Sequence, residues 1–268
     1  MHALLHHPVV QAGLAPFLVA LVTAELFLRI RLSGLALIAG FATTVYLTAD
    51  FNIEPLTLNH KIIWLGLLSS LAGLLFSLLA WSWLSVVLIP IASAVTIWLL
   101  LPMLQAHVIQ SALVLGTGCA VFMAILTWGM DALHTAPLRA ANAATALGVG
   151  TGVAVFGGAS ALYGQFALAL GAGAGAHLLI QMIANQSLPT GRSFTLPAAM
   201  IVGAVACVAV LNGHLPWYCL PLLAAIPIVA WVMPLPKSAA LMQSLLLGLF
   251  TFGLAAGAVY LSGFHFIH

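Results

Sequence analysis

Long hydrophobic runs, separated by short polar or proline- and glycine-containing segments, follow one another along the whole chain. A helix needs about 20 apolar residues to cross the hydrocarbon core of a bilayer, and the runs divide into about ten segments of that kind. The predicted spans are 9–30, 32–49, two within 62–103, 108–130, two within 140–185, 196–211, 217–233 and 240–261. The pattern predicts an all-α integral membrane protein, a polytopic bundle of about ten transmembrane helices.

Two of the runs are long enough for two spans each, and we place a turn inside both. The run 62–103 contains no charged residue, and a tight hairpin is predicted near Trp81, Ser82 and Trp83 because tryptophan favours the membrane interface. The second turn is predicted between Gly157 and Gly164. Because the remaining polar loops are short, residues 1–268 are predicted to form a single transmembrane helical domain.

The basic residues indicate how such a bundle is oriented. Only 4% of the residues are charged, too few for a water-facing surface. Ten alternating spans place Lys61 on one side and all the other basic residues on the opposite side, namely Arg29, Arg31, Arg139, Arg192 and Lys237. Because the side richer in Lys and Arg is cytoplasmic, both termini are predicted on the outer, periplasmic side of a bacterial-type inner (plasma) membrane. The net charge of +2 without a basic patch gives no reason to expect nucleic acid as a partner.

Histidines concentrate on the predicted outer side, together with two acidic residues. Neutral imidazole is a common ligand of transition metals, and carboxylates can complete such a site, so an outer metal site for zinc or copper is one hypothesis. The candidate ligands are His2, His6, His7, Asp50, Glu54, His60, His107, His214, His265 and His268. The alternatives are a proton-responsive surface and the ordinary tolerance of histidine at interfaces, since no pair has a zinc-finger or zincin spacing.

A polar stripe lies along the seventh predicted span. His177, Gln181 and Asn185 recur every four residues and therefore share one helical face. A polar side chain in hydrocarbon is costly unless it faces protein or water, so this face is expected to point into the bundle. It either lines a pathway for a substrate, an ion or protons, or joins helices through hydrogen bonds.

Two acidic residues lie within or beside predicted spans. Glu25 lies one turn before Arg29, a spacing that suits a salt bridge, and the alternative is a proton-coupling carboxylate, which makes Glu25 a further pathway candidate. Asp131 lies at the end of the fifth span and is expected to be solvated.

Small residues indicate where helices approach each other closely. Gly148 and Gly152 form one GxxxG pattern, and Gly171 and Gly175 form another, so the sixth and seventh spans are predicted to pack tightly. Similar small-residue faces could bind membrane-protein partners or a second copy of the chain.

The function most consistent with these features is a compact carrier or channel for a small solute, ion or metal cation. It rests on the polar stripe, the outer histidines and the prolines inside apolar runs, which kink helices: Pro16, Pro90, Pro221 and Pro227. The alternatives are a non-catalytic subunit or scaffold of a larger membrane complex, and a membrane metal- or haem-binding protein that uses the outer histidines. Nucleotide-binding, HExxH, GxSxG and CxxCH motifs do not occur, so an enzyme is the less favoured class. In span number and size the chain resembles the drug/metabolite transporter superfamily, whose members have ten spans.

Overall fold

The computed structural model describes residues 7–27, 33–49, 57–79, 83–156, 161–185, 188–236 and 239–265. These ranges contain ten α-helices and no strand. A π-helical turn, Val10–Leu14, precedes α1, and a 3₁₀ turn, Ser33–Leu35, precedes α2. The helices are α1 (Ala15–Phe27), α2 (Ala36–Thr48), α3 (Leu58–Leu79), α4 (Leu84–Leu104), α5 (Ile109–Ala132), α6 (Pro137–Phe156), α7 (Ala161–Ala184), α8 (Arg192–Leu211), α9 (Cys219–Val232) and α10 (Ala240–His265).

Seven of these helices are long and apolar enough to cross a membrane: α1 with its π-helical turn, α3, α4, α5, α7, α8 and α10. Helices α2 and α9 are apolar but shorter, and α6 is long enough but rich in small and polar residues. The prediction of a multi-pass helical membrane protein is confirmed at this level.

Each predicted span overlaps one described helix, and each of the two runs that we divided overlaps two. Around the predicted tryptophan hairpin, α3 ends at Leu79 and α4 begins at Leu84, while residues 80–82 lie outside the described ranges. Around the predicted glycine break, α6 ends at Phe156 and α7 begins at Ala161, and residues 157–160 also lie outside.

Contacts between helix ends define two opposite ends of the bundle. At one end of the bundle, the start of α8 pairs with the end of α5 through Arg192 and Asp131. At the same end, Arg139 near the start of α6 donates to the carbonyl oxygen of Ala230 at the end of α9. At the other end, the ammonium of Lys61 near the start of α3 lies over the ring of Trp98 in the last two turns of α4. We call these the arginine end and the lysine end.

Helix α8 is the centre of the bundle, because 94% of the residues in its most apolar stretch are buried. Pro197 has no N–H, so the carbonyl oxygen of Ser193 four residues earlier lacks a helical partner. The hydroxyl of Ser70 on α3 donates to that oxygen at 3.3 Å. A neighbouring helix therefore satisfies the group that the proline leaves free.

Helices α6 and α7 pack backbone against backbone, as the two GxxxG patterns predict. A Cβ atom added to Gly171 would lie 2.7 Å from the backbone nitrogen of Val149, and one added to Gly148 would meet the backbone of Gly171. A Cβ atom on Gly152 would lie 2.5 Å from the side chain of Leu168. Only hydrogen fits at these positions, so the prediction of tight packing between these helices is confirmed.

Candidate functional site

A buried ion pair joins three helices at the arginine end. The guanidinium of Arg192, the first residue of α8, donates from Nε to Oδ1 of Asp131 at 2.7 Å and from Nη2 to Oδ2 at 3.4 Å. Ser85, at the start of α4, donates to the same carboxylate and accepts from Nη2 of Arg192 at 3.1 Å. Both charged side chains are only 8% exposed. This bidentate arrangement locks α4, α5 and α8 together while it stays intact.

The expectation that Asp131 is solvated is therefore wrong. Its position at a helix end suggested contact with water, but α8 begins directly beside it and covers the carboxylate. A carboxylate removed from water is stable when it is paired and hydrogen-bonded, and Arg192 and Ser85 provide both.

His177 lies on α7, inside the bundle, and is completely buried. Its ring packs against the ring of Phe194, with 5.1 Å between centroids, two residues after Arg192 on α8. Neither ring nitrogen has a hydrogen-bond partner among the described residues. The backbone of Leu188 approaches the ring, but without the distance and angle of a hydrogen bond. A neutral imidazole carries one donor and one acceptor, so both functions are unused here.

Gln181 lies one turn nearer to the arginine end on the same face of α7 and is 1% exposed. Its amide Nε2 donates to the carbonyl oxygen of Pro137 at 3.5 Å, whereas its Oε1 has no partner among the described residues. His177 and Gln181 together place three unused polar atoms in the dry interior of the bundle. The expectation that this face points inward is confirmed for both residues.

The other two pathway candidates lie elsewhere. Asn185 follows α7 with a φ of 48°, is exposed, and accepts a hydrogen bond from the backbone N–H of Ala240 at 2.9 Å. It therefore caps the start of α10 rather than extending the buried stripe. Glu25 is exposed on α1, and its predicted partner Arg29 lies outside the described residues.

Some of the histidines predicted on the outer side lie in the described ranges, and these are at the lysine end. His7 precedes α1, His60 is in the first turn of α3, His107 follows α4, and His214 follows α8. Three of these rings use Nδ1 in local hydrogen bonds. His7 accepts from the backbone N–H of residue 9, His60 bonds with the hydroxyl of residue 57, and His107 bonds with the carbonyl oxygen of residue 103.

Within the described part of the chain, no three His, Cys, Asp or Glu side chains lie close enough to hold a metal ion. The remaining candidate ligands have undescribed positions or, for His265, an undescribed side chain: His2, His6, Asp50, Glu54, His265 and His268. The outer metal site therefore stays a prediction, and none of the described geometry supports it.

Sequence reasoning did not find the link between Asp131 and Arg192. A signal was present, because the alternating spans placed these two opposite charges on the same side. It also did not find Asn142, a buried residue of α6 whose amide donates to the backbone and hydroxyl oxygens of Ser244 at 3.1 and 3.0 Å. The amide oxygen of Asn142 accepts from the hydroxyl of Thr251 at 3.1 Å, which ties α6 to α10. An amide inside an apolar run was the available signal.

The interior thus contains two kinds of polar group. The polar groups of Asp131, Arg192 and Asn142 are paired with neighbouring helices. The ring nitrogens of His177, the amide oxygen of Gln181 and the hydroxyls of Thr127 and Thr151 have no partner among the described residues. An imidazole with an unused donor and acceptor can bind a proton or exchange hydrogen bonds with a polar ligand. Because His177 is sealed from solvent, either event requires α7 and its neighbours to separate.

The chain matches no protein-family model, and neither a curated protein nor a solved structure is significantly similar to it.

Proposed function

We propose that this protein is a compact membrane carrier for a small solute, ion or metal cation, with His177 and Gln181 on its pathway. The supporting observation is that His177 is completely buried and has no hydrogen-bond partner among the described residues. Leaving a buried donor or acceptor unsatisfied costs about 1–3 kcal/mol, and such groups in native proteins usually have a functional reason. A carrier provides one, since pathway side chains are enclosed in one conformation and meet water or substrate in another.

A carrier agrees with the geometry better than a permanently open channel does. His177 is 0% exposed, and none of the four described cavities is lined by it. In the proposal, this arrangement is the occluded conformation of a carrier.

The Asp131–Arg192 pair suits the role of a gate toward the arginine end. Arg192 lies on α8 two residues before Phe194, which contacts the His177 ring, so the ion pair and the imidazole lie at similar heights on different faces of α8. In the proposal, breaking the ion pair frees α8 from α4 and α5 and lets it move away from His177.

The proposal includes ten spans, a cytoplasmic arginine end and two outward termini in a bacterial-type inner membrane. It is supported by the contacts that place the start of α8 beside the end of α5 and the start of α3 beside the last turns of α4, and by the separation of Arg139 and Arg192 from Lys61. The shorter helices α2 and α9 rise only about 20 Å. They would cross with their flanking turns or where the bilayer is locally thinned.

Water access to position 177 tests the proposal without knowledge of the substrate. We would substitute His177→Cys in a chain whose three native cysteines are replaced by alanine, and treat the protein in proteoliposomes with a membrane-impermeant methanethiosulfonate. The matched control is Ala176→Cys, because Ala176 is equally buried but packs against Ala20 and Ala36 on another face. A carrier predicts reaction at position 177 that is much faster than at position 176.

Uptake provides the second measurement. Proteoliposomes would be tested with a panel of radiolabelled amino acids and sugars, and with Zn²⁺ and Cu⁺ reported by trapped indicators. We expect uptake of at least one compound by the wild type and its loss in His177→Ala. If both cysteines stay unreactive and no compound enters, the carrier proposal fails, and the non-catalytic subunit becomes the better explanation of a sealed His177.

A further inference from the structure

A long apolar groove separates α3 from α4, although these helices are consecutive in the chain. Helix α3 packs on α8, where Gly66 meets the side chain of Ile201. Helix α4 packs instead on α5, where the hydroxyl of Ser93 donates to the carbonyl oxygen of Ala120 at 3.0 Å. Because each of the two helices packs mainly on a different neighbour, a cleft of about 460 Å³ stays open between them.

The walls of the groove suit hydrocarbon. Its floor is formed by the buried side chains of Leu88, Ala92 and Met200. The one hydroxyl in its wall, that of Ser69, already donates to the carbonyl oxygen of Gly66 at 2.8 Å. Away from the side chains of Lys61, Trp64 and Trp98, a polar solute would therefore lose its hydration here without gaining hydrogen bonds.

The mouth of the groove at the lysine end carries a positive charge. Lys61 lines the groove from α3 and extends its ammonium to 4.7 Å from the ring centroid of Trp98 on α4. Within the described ranges, Arg139 and Arg192 lie at the opposite end, so Lys61 is the basic residue that the structure places here. An ammonium beside tryptophan at a membrane interface is a suitable binding partner for a lipid phosphate.

The dimensions match one extended acyl chain. From Lys61 to Phe76 the groove follows α3 for about 22 Å, which exceeds the roughly 15 Å of one hydrocarbon leaflet. A helix of about 10 Å diameter and the same length occupies about 1,700 Å³, so the groove could enclose an acyl chain but could accept only one side of a partner helix.

We propose that this groove binds an anionic glycerophospholipid, with one acyl chain between α3 and α4 and the headgroup phosphate on Lys61. The site is independent of the carrier pathway at His177. It would fill the gap between two helices that contact each other only lightly.

Lipid titration of the purified full-length protein, monitored by native mass spectrometry, tests the proposal. Dioleoyl phosphatidylglycerol and dioleoyl phosphatidylcholine have the same acyl chains and differ in net charge. We expect the wild type to bind the anionic lipid about fivefold more tightly. Lys61→Gln should remove this preference and weaken binding of phosphatidylcholine less, because choline offsets the charge of its phosphate, and Lys61→Arg should keep the preference.

A second pair of variants tests the groove itself. Ala72→Phe places a ring in the groove and should weaken binding of both lipids, whereas Ala256→Phe makes the same change on the exposed face of α10 and should not. Thermal melting of each variant would verify folding. The proposal is overturned if Lys61→Gln keeps the preference for the anionic lipid, or if the two phenylalanine variants bind lipid equally.

Discussion

Replacing one member of the Asp131–Arg192 pair should destabilise the bundle far more than replacing both. Each side chain is 8% exposed, so a single substitution leaves the other charge buried without compensation, at a cost of about 3–5 kcal/mol. Helix dipoles offset part of this cost, because Arg192 lies at the positive N-terminus of α8 and Asp131 at the negative C-terminus of α5, so each single substitution also removes one unfavourable contact between a charge and a dipole. Each such contact is worth about 0.3–1 kcal/mol, so the single variants belong at the lower end of the range.

The double variant removes both charges and both unfavourable dipole contacts. We therefore expect Asp131→Leu with Arg192→Met to be close to the wild type in stability, or above it, with a coupling free energy of several kcal/mol. The assay is reversible unfolding of the purified protein in mixed micelles by titration with sodium dodecyl sulfate, followed by tryptophan fluorescence. Ser85→Ala serves as a control and should cost only about 1 kcal/mol. Two results would refute a buried and coupled pair. The first is that each single variant lowers the free energy of unfolding by less than about 1 kcal/mol, and the second is that the double variant lowers it by the sum of the two single losses.

Two further pairs of substitutions test the packing and the capping. Gly171→Ala should destabilise the protein by about 1–3 kcal/mol, because its Cβ atom would lie 2.7 Å from the backbone nitrogen of Val149. Gly118→Ala, with no atom within 4 Å of the new Cβ, should instead stabilise by about 0.5–1 kcal/mol, and equal effects in the same unfolding assay would contradict the packing. Asn185→Ala should lower the melting temperature through loss of the bond to the N–H of Ala240, and Asn185→Gly, which tolerates the φ of 48°, should lower it less.

The positions of the helices could be predicted because the signal is local. A run of apolar residues ends where a polar or helix-breaking residue follows, and that information lies within a few residues of each boundary. The contact between α6 and α7 was predictable for a similar reason, since Gly148 and Gly171 belong to spacings that favour close approach of two backbones.

The candidate site was predictable only in part. A spacing of four residues correctly placed His177 and Gln181 on one buried face, but the same rule included Asn185, which lies beyond the last residue of α7 and caps α10. Asp131 appeared solvated because its partner, Arg192, is 61 positions away in the chain. Periodicity describes a helix face, but it contains no information about which neighbour covers that face.

The sequence by itself determined that this chain belongs in a membrane, that it folds into helices, and which helix pair packs through glycine. These properties follow from run length, composition and spacing, which act within single segments. Only the tertiary structure decided that Asp131 and Arg192 neutralise each other, that His177 is sealed beside Phe194, and that α3 and α4 leave a groove with Lys61 at its mouth. Each of these depends on which segments distant in the chain become neighbours, and burial of side chains between helices sets that arrangement.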